Sequence, residues 1–237
     1  MTVEVCFSPA LYPFYLSEKS KIAVIVDVFR ASTTICKALM EGAAAIIPVA
    51  SLEKAVELKN RGYFVGAERN VEKCDFADAG NSPFDYFSDK VKGKEIVFTT
   101  TNGTRAIELA AGKNNVIIGA FCNISAVVDY CKNAGKDVLV VCAGWNNLFS
   151  LEDTIFAGLL VTRLTCSEKF QVCGDSAVAA SVLWRQAESD VNAFLRQSEH
   201  ASRLFSHHLE KDFDFCLTQD IVPVVPFYDK FSQKILV

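Results

Sequence analysis

The sequence predicts an α/β fold: a mainly parallel or mixed sheet with helices on both faces, a helical C-terminal segment and short terminal strands. Three observations carry this. Short, β-branched apolar runs recur along the chain, as buried strands do. Most are followed by a segment of helical periodicity opened by a cap residue. From Asp175 to about Leu217 the pattern is helical throughout. At 237 residues, half of them hydrophobic, the chain is long enough for one large core. It reads as a single domain over 1–237, with room for a helical subdomain at about 175–217.

Taken in order, Val3 to Phe7 is a first strand, ended by Ser8-Pro9. Ile22 to Val26 is a second, and Ile35, Leu39 and Met40 suit the helix behind it. Ala44 to Val49 is a strand. Ser51 caps a helix over Leu52 to Arg61, and Gly62 ends it. Tyr63 to Gly66 runs into A-E-R-N, and a polar loop from Cys74 to Pro83 leads to a short helix. Glu95 to Thr99 precedes T-T-N-G-T-R and a helix to about Ala111. Val116 to Phe121 precedes a helix from Asn123. Val138 to Cys142 precedes A-G-W-N-N-L-F-S and a helix over Leu151 to Leu164. Ile221 to Pro226 and the terminal K-I-L-V read as edge strands, because Pro223 cannot donate to a ladder.

Composition excludes several functions. The net charge of −4 gives no footprint for nucleic acid. No apolar run approaches the roughly 20 residues of a membrane helix. The N-terminus lacks the basic flank and apolar core of a signal peptide. Nine cysteines, none in a C-x-x-C pair and none with Arg six positions on, offer neither a zinc knuckle nor a cysteine-phosphatase loop. Reduced thiols in a cytoplasmic protein are the simple reading. A homo-oligomer, a dimer at its simplest, is expected. No Walker or dinucleotide-binding motif is present.

Polar residues cluster where strands hand over to helices. Asp27, Arg30, Ser32, Thr33 and Thr34 follow the second strand. Glu68, Arg69 and Asn70 follow the fourth; Thr100, Thr101, Asn102, Gly103, Thr104 and Arg105 follow the fifth. In a parallel sheet these ends lie along one edge, where α/β proteins bind ligands. Carboxylates with arginines at a helix N-terminus suit Mg²⁺ and a phosphate together. Asp27 and Glu68 are candidate metal ligands, as are Glu152 and Asp153. Arg30, Arg69 and Arg105 are candidate phosphate ligands. His200 is a candidate proton donor. The plainer alternatives are that Asp27 and Ser32 cap a turn, that Arg105 is solvated, that Glu152 and Asp153 only complement a helix dipole, and that His200 is a packing residue.

V-D-V-F-R-A-S-T-T-I, G-A-E-R-N, the A-G-N-S-P loop, T-T-N-G-T-R-A, F-S-L-E-D-T and S-E-H-A-S-R-L-F…V-V-P-V-V-P, in this order, resemble the 2-phosphosulfolactate phosphatase family. The resemblance implies an α/β fold particular to that family. It also implies Mg²⁺-dependent hydrolysis of 2-phospho-3-sulfolactate to 3-sulfolactate and phosphate, in coenzyme M biosynthesis. On that reading Asp27, Arg30, Glu68, Arg105 and His200 are catalytic, and Asp27 serves as metal ligand in preference to covalent nucleophile. Ser32, Thr33, Arg69, Asn70, Asn81, Thr101, Asn102, Gly103 and Thr104 would hold the substrate. Two departures bear on the pocket: Val71 stands where the family usually has glycine, and A-G-W-N-N-L-F-S is bulkier than the usual loop. A phosphatase for another small phosphorylated acid, or a non-catalytic anion-binding protein, are the alternatives.

Overall fold

The computed structural model describes residues 1–100 and 102–237. Its strands are β1 (Thr2–Cys6), β2 (Ile22–Val26), β3 (Ala45–Pro48), β4 (Phe64–Arg69), β5 (Glu72–Lys73), β6 (Glu95–Thr99), β7 (Asn115–Gly119), β8 (Val138–Cys142), β9 (Gln171–Val172), β10 (Phe227–Asp229) and β11 (Lys234–Leu236). They form one mixed sheet in the order β5-β4-β6-β3-β11-β10-β7-β2-β8-β1-β9. Every residue of β2 and β8 is buried, which is why both read as unbroken apolar runs.

The helices are α1 (Ala31–Met40), α2 (Leu52–Asn60), α3 (Ser88–Val91), α4 (Gly103–Ala111), α5 (Ile124–Ala134), α6 (Leu151–Thr165), α7 (Asp175–Ala187), α8 (Val191–Leu195), α9 (Glu199–Ser206) and α10 (Glu210–Cys216). The cap of α2 is as expected: Ser51 Oγ accepts from Lys54 N–H at 3.1 Å, and Gly62 lies at φ +89°. The late helical pattern is four helices. Ala180, Trp184, Leu195, Leu204 and Phe213 from them share one core with Val3, Val24 and Val140 of the strands.

Two expectations change. Ile221 to Pro226 is not a strand, and the terminal strands are not at an edge. β10 and β11 form an antiparallel hairpin in mid-sheet, pairing outward through Phe227↔Ile117 and Ile235↔Ile46, again antiparallel. Pro223 and Pro226 precede the strands, so no ladder donor is lost. β4, β6 and β3 are parallel to one another. So are β7, β2, β8, β1 and β9. With the hairpin between them, the two parallel blocks run in opposite senses. Their C-terminal ends therefore do not share one straight edge. Turns from both blocks nevertheless meet in one cleft, where Asp27 and Trp145 of one block stand with Glu68 and Thr100 of the other.

Candidate active site

The β2–α1 turn is the fixed point of the site. Ser32 Oγ accepts from Asp27 N–H at 2.9 Å, and Ser32 N–H donates to Asp27 O at 2.9 Å. Thr33 Oγ1 donates to Val28 O, and Thr34 Oγ1 to Asn81 O at 2.8 Å. All three hydroxyls thus serve backbone groups. Ser32 and Thr33 do not line the cleft; they shape the turn, and Thr34 anchors the loop that carries Asn81.

The start of α4 packs against this turn. A Cβ at Gly103 would stand 2.9 Å from Asp27 Oδ2 and 3.1 Å from the Ala31 Cβ. Only glycine allows that approach, so Gly103 has a steric role. Thr104 is buried and donates to Thr100 O. Arg105 is exposed and outside the cleft, on the face opposite Gly103, Thr104, Ala106, Ile107 and Ala110, which are buried. Helical spacing turns it away from the cleft. Thr101 lies outside the described residues.

Between β4 and β5 the chain turns on two residues, Asn70 at φ +53° and Val71 at φ +76°. Positive φ at both central positions is the hairpin turn that favours Asn-Gly. A β-branched residue there is strained. Val71 is held from both sides: its N–H donates to Glu68 Oε1 at 2.6 Å, and its carbonyl accepts from Arg30 at 2.8 Å. The Asn70 side chain is exposed. Arg69 donates to Glu68 O, Ala50 O and Thr99 Oγ1, binding β4 to its surroundings. Arg30 is 3 % exposed and meets Asp212 at 2.5 Å, whose other oxygen accepts from Ser82.

These elements enclose a cleft lined by Asp27, Phe29, Arg30, Glu68, Val71, Asn81, Thr100, Asn102, Trp145 and His200. Its volume is about 10 Å³, room for roughly one water. Asn81 Oδ1 and Thr100 Oγ1 are buried with no hydrogen-bond partner among the described residues. Orphaned buried oxygens carry a desolvation cost that a ligand can relieve. Burial pushes the Asp27 carboxyl up to about 6; His200 opposes the shift, and Glu68 and Glu152 add to it.

Glu152 and Asp153 open α6 but do not line the cleft. Glu152 Oε1 is hydrogen-bonded to His200 Nδ1 at 2.7 Å. Burial raises the Glu152 carboxyl, but His200 outweighs it and holds the group below its ordinary value. Asp153 accepts from Val28 N–H at 2.8 Å and Gly144 N–H at 3.1 Å, tying two loops together. Burial, with the charges of Glu152 and Asp27, pushes its carboxyl well up. One is bonded to a histidine and the other to two backbone amides. His200 packs edge-on to Phe29 at 5.5 Å and against Trp145 at 5.6 Å.

Among the described residues no three His, Cys, Asp or Glu side chains gather into a metal cage. The donor set is instead two carboxylates, Asp27 and Glu68, with the neutral oxygens of Asn81 and Thr100. An all-oxygen set with few carboxylates fits Mg²⁺, which keeps several waters. Sequence reasoning tied Val71 and the loop carrying Trp145 to the pocket but overlooked the side chains of Phe29 and Thr100. Thr100 was visible as a hydroxyl directly after a strand, and Trp145 as the bulky member of the loop after β8.

The fold and this cleft define a class: an α/β protein with a buried oxygen-donor set beside a carboxylate-bound histidine. The family model for 2-phosphosulpholactate phosphatase matches residues 6–230. A Thermotoga petrophila protein named "Probable 2-phosphosulfolactate phosphatase" is 43% identical over 206 residues, covering 87% of this chain and 88% of its own. Proteins with the same name from Caldanaerobacter subterraneus and Symbiobacterium thermophilum are 37% and 34% identical, covering 88% and 91% of this chain and 88% and 94% of theirs. The chain belongs to the 2-phosphosulpholactate phosphatase family.

Proposed function

We propose that the protein hydrolyses 2-phospho-3-sulfolactate to 3-sulfolactate and phosphate with Mg²⁺ bound in the cleft. The observation that carries this is the pair of unpartnered oxygens, Asn81 Oδ1 and Thr100 Oγ1, beside Asp27 and Glu68 in one cleft. These four residues would hold the metal. Bound there, Mg²⁺ supplies positive charge against the phosphoryl oxygens. Asn102, whose Oδ1 accepts from Asn146 N–H at 3.1 Å, keeps its amide NH₂ for the substrate.

His200 is the general acid of this reading. Glu152 on Nδ1 fixes the ring, leaving Nε2 to donate to the ester oxygen. Water adds to phosphorus, the P–O bond to the C2 oxygen breaks, and that oxygen takes the His200 proton. The proton lost by the water restores the imidazolium. With that substrate the protein works in the cytoplasm, in coenzyme M biosynthesis.

The test is phosphate release from 2-phospho-3-sulfolactate with EDTA and after Mg²⁺ is restored. EDTA should abolish the activity and Mg²⁺ should return it. Full turnover in metal-free buffer would remove the metal from the proposal.

A further inference from the structure

Next to the cleft lies a second, wider cavity of about 460 Å³, lined among others by Trp145, Phe149, Glu152, Gln197, His200 and Arg203. Trp145 and His200 belong to both spaces. Arg203, on α9, lays its guanidinium 4.2 Å from the centroid of the Trp145 ring. Its Nε is buried and has no hydrogen-bond partner among the described residues. Its acidic neighbour is Glu199, 3.8 Å away with a side chain 96% exposed, an arrangement that contributes little.

The other arginines near the site are committed or elsewhere. Arg30 serves Asp212 and the Val71 carbonyl. Arg69 serves Glu68, Ala50 and Thr99. Arg105 is outside the cleft. Arg203 lines the wider cavity and keeps an Nε–H with no partner among the described residues. It lies three residues after His200 on one helix, and side chains so spaced sit about 5–6 Å apart at Cβ. In the substrate proposed above, the phosphoester and the sulfonate occupy neighbouring carbons. A phosphoryl group at His200 would bring the sulfonate within reach of Arg203.

We propose that Arg203, backed by Trp145, binds the sulfonate and so selects phosphorylated sulfonic acids over other phosphorylated acids. The assignment rests on the phosphatase reading of the cleft. A sulfonate carries a permanent charge over three oxygens and suits a planar fork of N–H donors. Trp145 holds the fork flat and shields it from water.

The experiment compares kcat/KM for 2-phospho-3-sulfolactate with that for 2-phospholactate, which has a methyl group in place of the sulfomethyl. Wild type, Arg203→Met and Arg203→Lys are measured, with thermal melts to confirm folding. Arg203→Met should lose about 10- to 100-fold on the sulfonate substrate, the range of a lost charged hydrogen bond, mainly through KM. It should stay within about twofold on 2-phospholactate, and Arg203→Lys should recover part of the loss. Equal losses on both substrates, or none on either, would overturn the assignment. If wild type releases phosphate from neither, the phosphatase reading fails by itself. Calorimetric titration with 3-sulfolactate then decides the subsite: weaker binding to Arg203→Met supports it, and unchanged binding refutes it.

Discussion

Asp27 lies in a setting that penalises its charge. Its carboxyl is pushed up from 3.8 to about 6, chiefly by burial. A folded-state pKa above the unfolded one adds stability that is complete below pH 4 and is lost as pH rises through 6. Without metal, ionised Asp27 then costs about 3 kcal/mol at pH 8. Asp27→Asn should abolish phosphate release. In EDTA it should also be more stable than wild type at pH 8, with the advantage shrinking toward pH 4.5. Urea unfolding at the two pH values measures this, and a pH-independent difference would contradict it. Val71 is the second strained point. At φ +76° glycine is at ease, so Val71→Gly should raise stability by about 1 kcal/mol or more, read as a higher denaturation midpoint. The cost of valine there is consistent with a use for its side chain in the cleft wall.

At the scale of elements, α4 shows how packing assigns roles that sequence leaves open. Its buried side faces the β2–α1 turn, so Gly103 is the sensitive position and Arg105 the tolerant one. Gly103→Ala should lower kcat at least tenfold, because the new methyl would meet Asp27 Oδ2 at 2.9 Å and displace one wall of the site. Arg105→Ala should leave kcat/KM within about twofold. A large loss in Arg105→Ala with Gly103→Ala unaffected would reverse this account. The strands were legible because β2, β6 and β8 are short β-branched runs with clear stops. Asp27, Glu68 and Asn102 were legible as polar residues at strand ends, Asn81 through the A-G-N-S-P loop of the family resemblance, and His200 only as a late helical histidine. The roles of Ser32, Thr33, Glu152 and Asp153 were not, since a hydroxyl or carboxylate looks the same in sequence whether it meets a ligand or a backbone amide. Thr100 and Trp145 reach the cleft through turns whose direction no local pattern encodes.

At the scale of the molecule, the site is assembled from two blocks of strands that are not neighbours in the sheet. Asp27, Phe29 and Trp145 follow β2 and β8 in one block; Glu68 and Thr100 come from β4 and β6 in the other. What joins the blocks within the sheet is the β10–β11 hairpin, through one residue pair on each side. Ile235 makes one of those pairs, is fully buried, and shares a core with Ile46, Ile96, Ile25 and Ile107. Sequence gave no sign of this, because a three-residue strand at the chain end looks like an edge. Ile235→Ala removes side-chain volume at the join and should cost about 2–5 kcal/mol of stability, measured by chemical denaturation. Its effect should also reach the site. Held at a temperature where the variant is fully folded, it should show a lower kcat, since the walls carrying Asp27 and Glu68 would lose their fixed separation. Ile46→Ala, on the other side of the same pair, should do the same, and the double variant should lose less than the sum of the two, as coupled neighbours do. Full additivity, with kcat unchanged in all three, would show that the hairpin only adds burial and that the turns of β2, β4 and α4 hold the site unaided.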